Sequence, residues 1–89
     1  MKKATEMIES ISDDMLFISS RIVKLEGKDR QMYLDQYINL LERHQKIRQY
    51  IIENELYFNK YDMIRIMLAD KIIKYSIDYL SLMEVLNEE

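Results

Sequence analysis

Residues 1–27 read MKKATEMIESISDDMLFISSRIVKLEG. Apolar residues fall at Met1, Ala4, Ile8, Ile11, Met15, Ile18, Ile22 and Leu25, in alternating steps of three and four. A helix advances about 100° per residue, so this spacing lays them on one face. It is the seam of a helix packed along its whole length against other helices. The stretch closes on Gly27, the one glycine of a chain that has no proline. Glycine tolerates the left-handed conformation that ends helices, so a first helix is predicted over 4–26. Lys24 sets a cation near the negative end of its dipole. Asp29 is the predicted N-cap of the next helix. A connection this short forces an antiparallel hairpin turning at Gly27.

The second helix is predicted over 30–53. Its seam is Tyr33, Tyr37, Leu40, His44, Ile47 and Ile51, widened by Leu34, Ile38, Leu41 and Ile52. Asn54 can end it in the left-handed conformation. Asn59 can start the third helix, with Asp62 as an imperfect capping box. Leu56, Tyr57 and Phe58 lie between as an apolar lid over the bundle end.

The third helix is predicted over 60–86 and carries two apolar stripes. The main one is Tyr61, Ile64, Leu68, Ile72, Tyr75, Tyr79, Leu82 and Leu86; the second is Ile66, Ile73, Ile77 and Leu80. A polar wedge of Asp70, Lys71, Lys74, Asp78 and Ser81 remains, with Asp70–Lys74 and Lys74–Asp78 at ion-pair spacing. The prediction is an all-α fold: an antiparallel three-helix bundle with coiled-coil-like packing, formed as one domain over 1–89. Such a bundle covers about half of each helix. The main stripe fits that cover, which leaves Ile66, Ile73, Ile77 and Leu80 as the predicted interface of a homodimer, with a heterologous partner helix, or a tilted bundle that wraps the third helix on three sides, as the alternatives.

Composition narrows the function classes. Eighty-nine residues bury a modest core, and such chains often lean on disulfides, metals or oligomerisation. Cysteine is absent and histidine occurs once, so neither a disulfide nor a zinc site is predicted. A net charge of −3 disfavours a general nucleic-acid binder. Glu6, Glu9, Asp13 and Asp14 interrupt any apolar signal-peptide core, and no apolar run spans a membrane, so a cytoplasmic protein is expected. Abundant Ile, Lys, Asn, Tyr and Met agree with a phage or mobile-element origin.

Four residues are candidate partner-binding side chains. Phe17 stands opposite the first helix's seam, among Glu6, Ser10, Asp13, Arg21 and Lys24. Tyr57, Phe58 and Tyr61 gather where the second helix meets the third, with Tyr57 and Tyr61 an i,i+4 pair. His44 reads as a hydrogen-bonded core or boundary residue rather than a pH switch or general base. The cations Arg21, Lys24, Lys28 and Arg30, and the group Arg43, Lys46 and Arg48, are interspersed with acids and read as solvated faces. No catalytic, cofactor or metal site is predicted.

Glu53-Asn54-Glu55-Leu56 and Ile72-Ile73-Lys74-Tyr75 resemble the second junction and third helix of the all-helical chorismate mutases. That resemblance implies a dimeric three-helix enzyme that reads a dianion with basic residues projecting inward. Here the inward seam of the first helix is apolar, Arg21 and Lys24 point away from it, and Gly27 ends the helix early. A helix-turn-helix would run over 49–68, with Asn59 onward as recognition helix. That helix presents Met63, Ile64, Ile66 and Met67 and one cation, Arg65, which is poor equipment for reading base edges. The expectation is a non-enzymatic protein–protein interaction module, a homodimeric regulator, inhibitor or adaptor with a protein partner.

Overall fold

The computed structural model describes residues 2–88, with side chains from 3 to 86. Three helices form the chain: α1, Lys2–Ile22; α2, Gly27–Glu53; and α3, Lys60–Glu88. Among the described residues no strand occurs. The helices lie side by side in a rod of 45 × 20 × 17 Å. The chain runs up, down and up, so α1 and α3 are parallel and α2 is antiparallel to both. Glu9 near the start of α1 meets Arg65 near the start of α3, whereas Arg30 at the start of α2 meets Glu84 near the end of α3. This is the predicted all-α bundle, with its hairpin turning at Gly27.

The first turn differs in detail from the prediction. α1 stops at Ile22, and Lys24 and Leu25 donate to the Arg21 and Ile22 carbonyls in tight three-residue turns. Gly27 has φ +62, so the left-handed step needed for the reversal is taken where α2 begins. Glu26, extended at φ −135, holds the N-cap position and makes no side-chain cap. Asp29 therefore sits inside the first turn, where its charge meets the positive end of the dipole.

The second turn shows why α2 and α3 are separate helices. The Leu56 amide donates to the Ile51 carbonyl and the Glu55 amide to the Ile52 carbonyl. That pair of bonds is a Schellman cap, which requires a left-handed residue at its C′ position. Glu55 fills it with φ +48. Asn54, at φ −98, is not the left-handed residue; its side-chain amide donates instead to the Tyr50 carbonyl at 2.9 Å. Asn59 caps α3 as predicted: its side-chain oxygen accepts from the Asp62 amide at 2.8 Å.

α1 is the centre of the structure. Ile8, Ile11, Met15, Ile18 and Ile22, all from the predicted seam, are buried. So are Thr5, Ser12 and Ser19, one residue every two turns on the edge facing α3. α3 answers with buried Ala69 and Ser76. The hydroxyls of Ser12, Ser19 and Ser76 donate to the carbonyls of Glu9, Leu16 and Ile73 on their own helices. Each is thereby satisfied without a partner across the interface. Small residues on both sides let α1 and α3 approach closely. Among the described residues, no Cα of α2 comes within 8 Å of one of α3. Those two helices meet through side chains, among them Arg30 with Glu84 and Asp70 with His44 and Arg48.

α3 packs with the stripe opposite to the one expected. Ile66, Ile73 and Leu80 are 6, 4 and 7% exposed, and Ile77 is partly buried against the same core. The four residues predicted as dimer interface are thus inside the protomer. The main stripe faces outward instead, with Leu68, Tyr75 and Leu82 at 57, 60 and 58% exposure. The reason is steric. Ala69 and Ser76 flank the isoleucines and permit close packing on Thr5, Ser12 and Ser19, whereas the tyrosine-bearing stripe has no small residue to admit a neighbouring backbone.

Candidate functional surface

The exposed stripe on α3 is the largest feature that the fold leaves unused. Tyr61, Ile64, Leu68, Tyr75, Leu82 and Leu86 are all exposed, and Ile72 and Tyr79 between them are half-buried. At about 1.5 Å per residue the stripe runs roughly 38 Å along the helix. Its centre lies about 135° around α3 from the buried face, at about 100° per residue. Met63 and Met67 extend it at one end, and Val85 at the other. Tyr75 and Tyr79 stack within it, ring centroids 6.2 Å apart and 16° from parallel. Scattered exposed apolar residues are ordinary, but a continuous row of this length is the mark of a contact surface.

Phe17 is 54% exposed, on the side of α1 away from its seam, as its wheel position predicts. The Arg21 guanidinium lies 5.0 Å from its ring centroid, a cation–π contact that screens one ring face. An open groove of 570 Å³ runs beside it between α1 and α2, lined by Asp14, Phe17, Tyr33, Asn39 and Arg43 among others. The junction residues separate. Tyr57 is 85% exposed. Phe58 turns inward and packs on Ile8, Ile66 and Ala69, closing the end of the core. Tyr61 belongs to the α3 stripe, and Arg65 lies over its ring at 5.6 Å. The three do not form one aromatic platform.

Charged groups tie the helices together around this core. Arg65 is held by Glu9 of α1, with its Nε 2.9 Å from one carboxylate oxygen and its Nη2 donating to the other. Asp62 adds a contact at 3.4 Å. Hydrogen bonding and charge from Arg65 hold the Glu9 carboxyl below the ordinary glutamate range, and the same fork raises the arginine. Asp70 of α3 accepts from His44 Nε2 at 3.0 Å and lies 3.4 Å from Arg48, both on α2. His44 is therefore a hydrogen-bonded boundary residue, and Asp70 pairs across helices rather than with Lys74. Tyr37 is buried against α1, and burial, aided by the charge of Asp78, pushes its phenol up.

This arrangement bears on two alternatives. The cation of a helix-turn-helix reading, Arg65, is engaged by Glu9 and Asp62 on its own protomer. The inward seam of α1 is apolar, and Arg21 lies on Phe17 at the outer face, so among the described side chains no cation of α1 is buried in the interior. Among the described residues no group of three His, Cys, Asp or Glu side chains is placed to hold a metal ion. No helix among them is long and apolar enough to cross a membrane. No protein-family model matches the chain, and neither a curated protein nor a solved structure matches it.

Proposed function

We propose that the protein is a non-enzymatic protein–protein interaction module whose working surface is the outer face of α3. The observation that carries this reading is the continuous apolar row from Tyr61 to Leu86, left in solvent by a core that is already complete without it. Leaving such side chains exposed forgoes about 1.5–3 kcal/mol each in burial free energy, so a surface like this is stable in use only when covered. Its geometry suits a second amphipathic helix laid alongside, with anchors at every third or fourth residue. Phe17 and its groove stand on α1, away from that face, where they leave room for a further protein partner of a regulator, inhibitor or adaptor.

The test is a pair of charge insertions. Leu68→Glu, on the outer face, should leave helical content and cooperative unfolding intact. Ile73→Glu, inside the protomer, should unfold the chain by burying an unpaired charge. Circular dichroism and urea melts read both. If Leu68→Glu unfolded the chain and Ile73→Glu did not, the outer face would be core and the reading would fall.

A further inference from the structure

We infer that the outer face of α3 is covered by the same face of a second copy of this chain, the two helices running antiparallel about a two-fold axis at Tyr75. The inference rests on the reading of that face as an interaction surface and names its occupant. Three observations support it.

The first is register. Counted from Tyr75, Ile64 and Leu86 lie eleven residues before and after it, and Leu68 and Leu82 seven before and after. All five side chains are exposed. These five positions read the same in both directions, which is the condition for them to complement themselves under a two-fold, while Ile72 and Tyr79 come opposite Asp78 and Lys71 of the mate. An antiparallel pairing at this register sets Ile64 against Leu86 of the mate, Leu68 against Leu82, and Tyr75 beside its own copy.

The second is charge. Lys71 and Asp78 are exposed and lie seven residues apart, so they border the stripe along the same edge. Neither is in an ion pair among the described residues, whereas Arg30, Arg65 and Asp70 all are. In an antiparallel helix pair, each edge meets the same edge of its mate. Lys71 stands four residues before Tyr75 and Asp78 three after it, so the axis brings each Lys71 to within one residue of the position opposite the mate's Asp78. In a parallel pair, this edge would meet the opposite one, where Arg65, Ile72 and Met83 offer no acid.

The third is area. Half-exposed side chains of this size present on the order of 100 Å² each, and the row counted on both copies comes to about 1,200 Å², the lower bound of a stable interface. The two-fold requires no other element, because α1 and α2 lie on the far side of α3.

The chain has no cysteine, so single cysteines report the register directly. The full chain would be prepared as Leu68→Cys, Leu82→Cys and Tyr75→Cys, with folding checked by circular dichroism. Wild type should show twice the 10.9 kDa chain mass by light scattering. Under mild oxidation, Tyr75→Cys should cross-link to itself. Leu68→Cys and Leu82→Cys should cross-link to each other when mixed, at least tenfold more than either does alone. Lys71→Glu should weaken association, and Lys71→Glu with Asp78→Lys should restore it. Self-linking of Leu68→Cys matching the mixed yield would overturn the antiparallel register. A single-chain mass at 100-fold the concentration of a dilute assay would overturn the second copy as occupant. It would leave the face itself to the Leu68→Glu folding test, whose failure alone removes the interaction surface.

Discussion

The two apolar stripes of α3 differ in how evenly they are spaced and in what flanks them. The outer stripe is longer, more regular and richer in aromatic residues. The inner one is shorter and broken, yet it is the one that packs. What separates them is the presence of Ala69 and Ser76 beside Ile66, Ile73 and Leu80. Close approach to α1 depends on the smallest side chains in the interface, and the largest ones then occupy the space those leave. Side-chain size, more than apolarity, decides which face of a helix turns inward.

The contrast is sharpest in truncations to alanine. Met15→Ala, in the centre of the core, should cost about 2–5 kcal/mol. Leu68→Ala on the outer stripe should stay within about 0.5 kcal/mol of wild type in dilute urea melts. Equal losses at the two sites would erase the distinction between the stripes.

Overpacking tests the small residues directly. Ser76→Leu inserts bulk at a fully buried position of α3 and should cost about 1–3 kcal/mol. A stabilised variant would show that the approach is not tight and that another cause selects the inner stripe.

The Glu9–Arg65 fork joins the same two helices from the outside, and its effect follows pH. Glu9 has a lowered carboxyl pKa in the folded state, so its contribution is present above the unfolded value of about 4.3 and fades as pH falls through the folded one. Arg65→Met should therefore be less stable than wild type at neutral pH, with the gap closing as pH drops below about 4. A gap that held constant to pH 2 would assign the loss to the contact of the guanidinium with the Tyr61 ring instead.

The smallest effect lies at the turn between α2 and α3. Glu55 takes the left-handed C′ position that glycine fills without strain. Glu55→Gly should raise the urea midpoint, a gain of about 0.5–1 kcal/mol, with the slope unchanged. A lower midpoint would mean that the added freedom of the unfolded chain outweighs the relief of strain.

Much of this fold was legible in the sequence. The 3-4 steps before Gly27 identify α1 and its buried face, and Asn59 marks the start of α3 through a hydrogen bond that the residue type alone anticipates. The last residue of α2 was placed correctly, but through Asn54 rather than Glu55, because a left-handed glutamate carries no compositional signal. The inward face of α3 was misread. A helical wheel weighted by apolarity ranks serine, threonine and alanine as neutral, so it favours the tyrosine stripe. The missed signal was present as a repeat: Thr5, Ser12 and Ser19 fall seven residues apart, as do Ala69 and Ser76. Phe17 stands outward, as its wheel position predicts. Tyr61, expected both on the packed main stripe and as a contact residue, is exposed with the rest of that stripe. Of the lid expected over the bundle end, Phe58 packs on the core and Tyr57 does not, because tertiary packing and not residue type decides which of two adjacent aromatics turns inward.

The central place of α1 also has a kinetic consequence. The α1–α2 hairpin closes across a short connection, whereas the contact between Glu9 and Arg65 spans 56 residues. Chain closure over that separation carries a larger entropic cost and comes late in folding. Until α3 docks, the serine edge of α1 stands open to water. The barrier is then crossed with the α1–α2 hairpin formed and the parallel pairing of the first helix with the last still incomplete. Substitutions at Ile73 should chiefly speed unfolding, and those at Leu40 should slow folding, as stopped-flow chevrons would resolve.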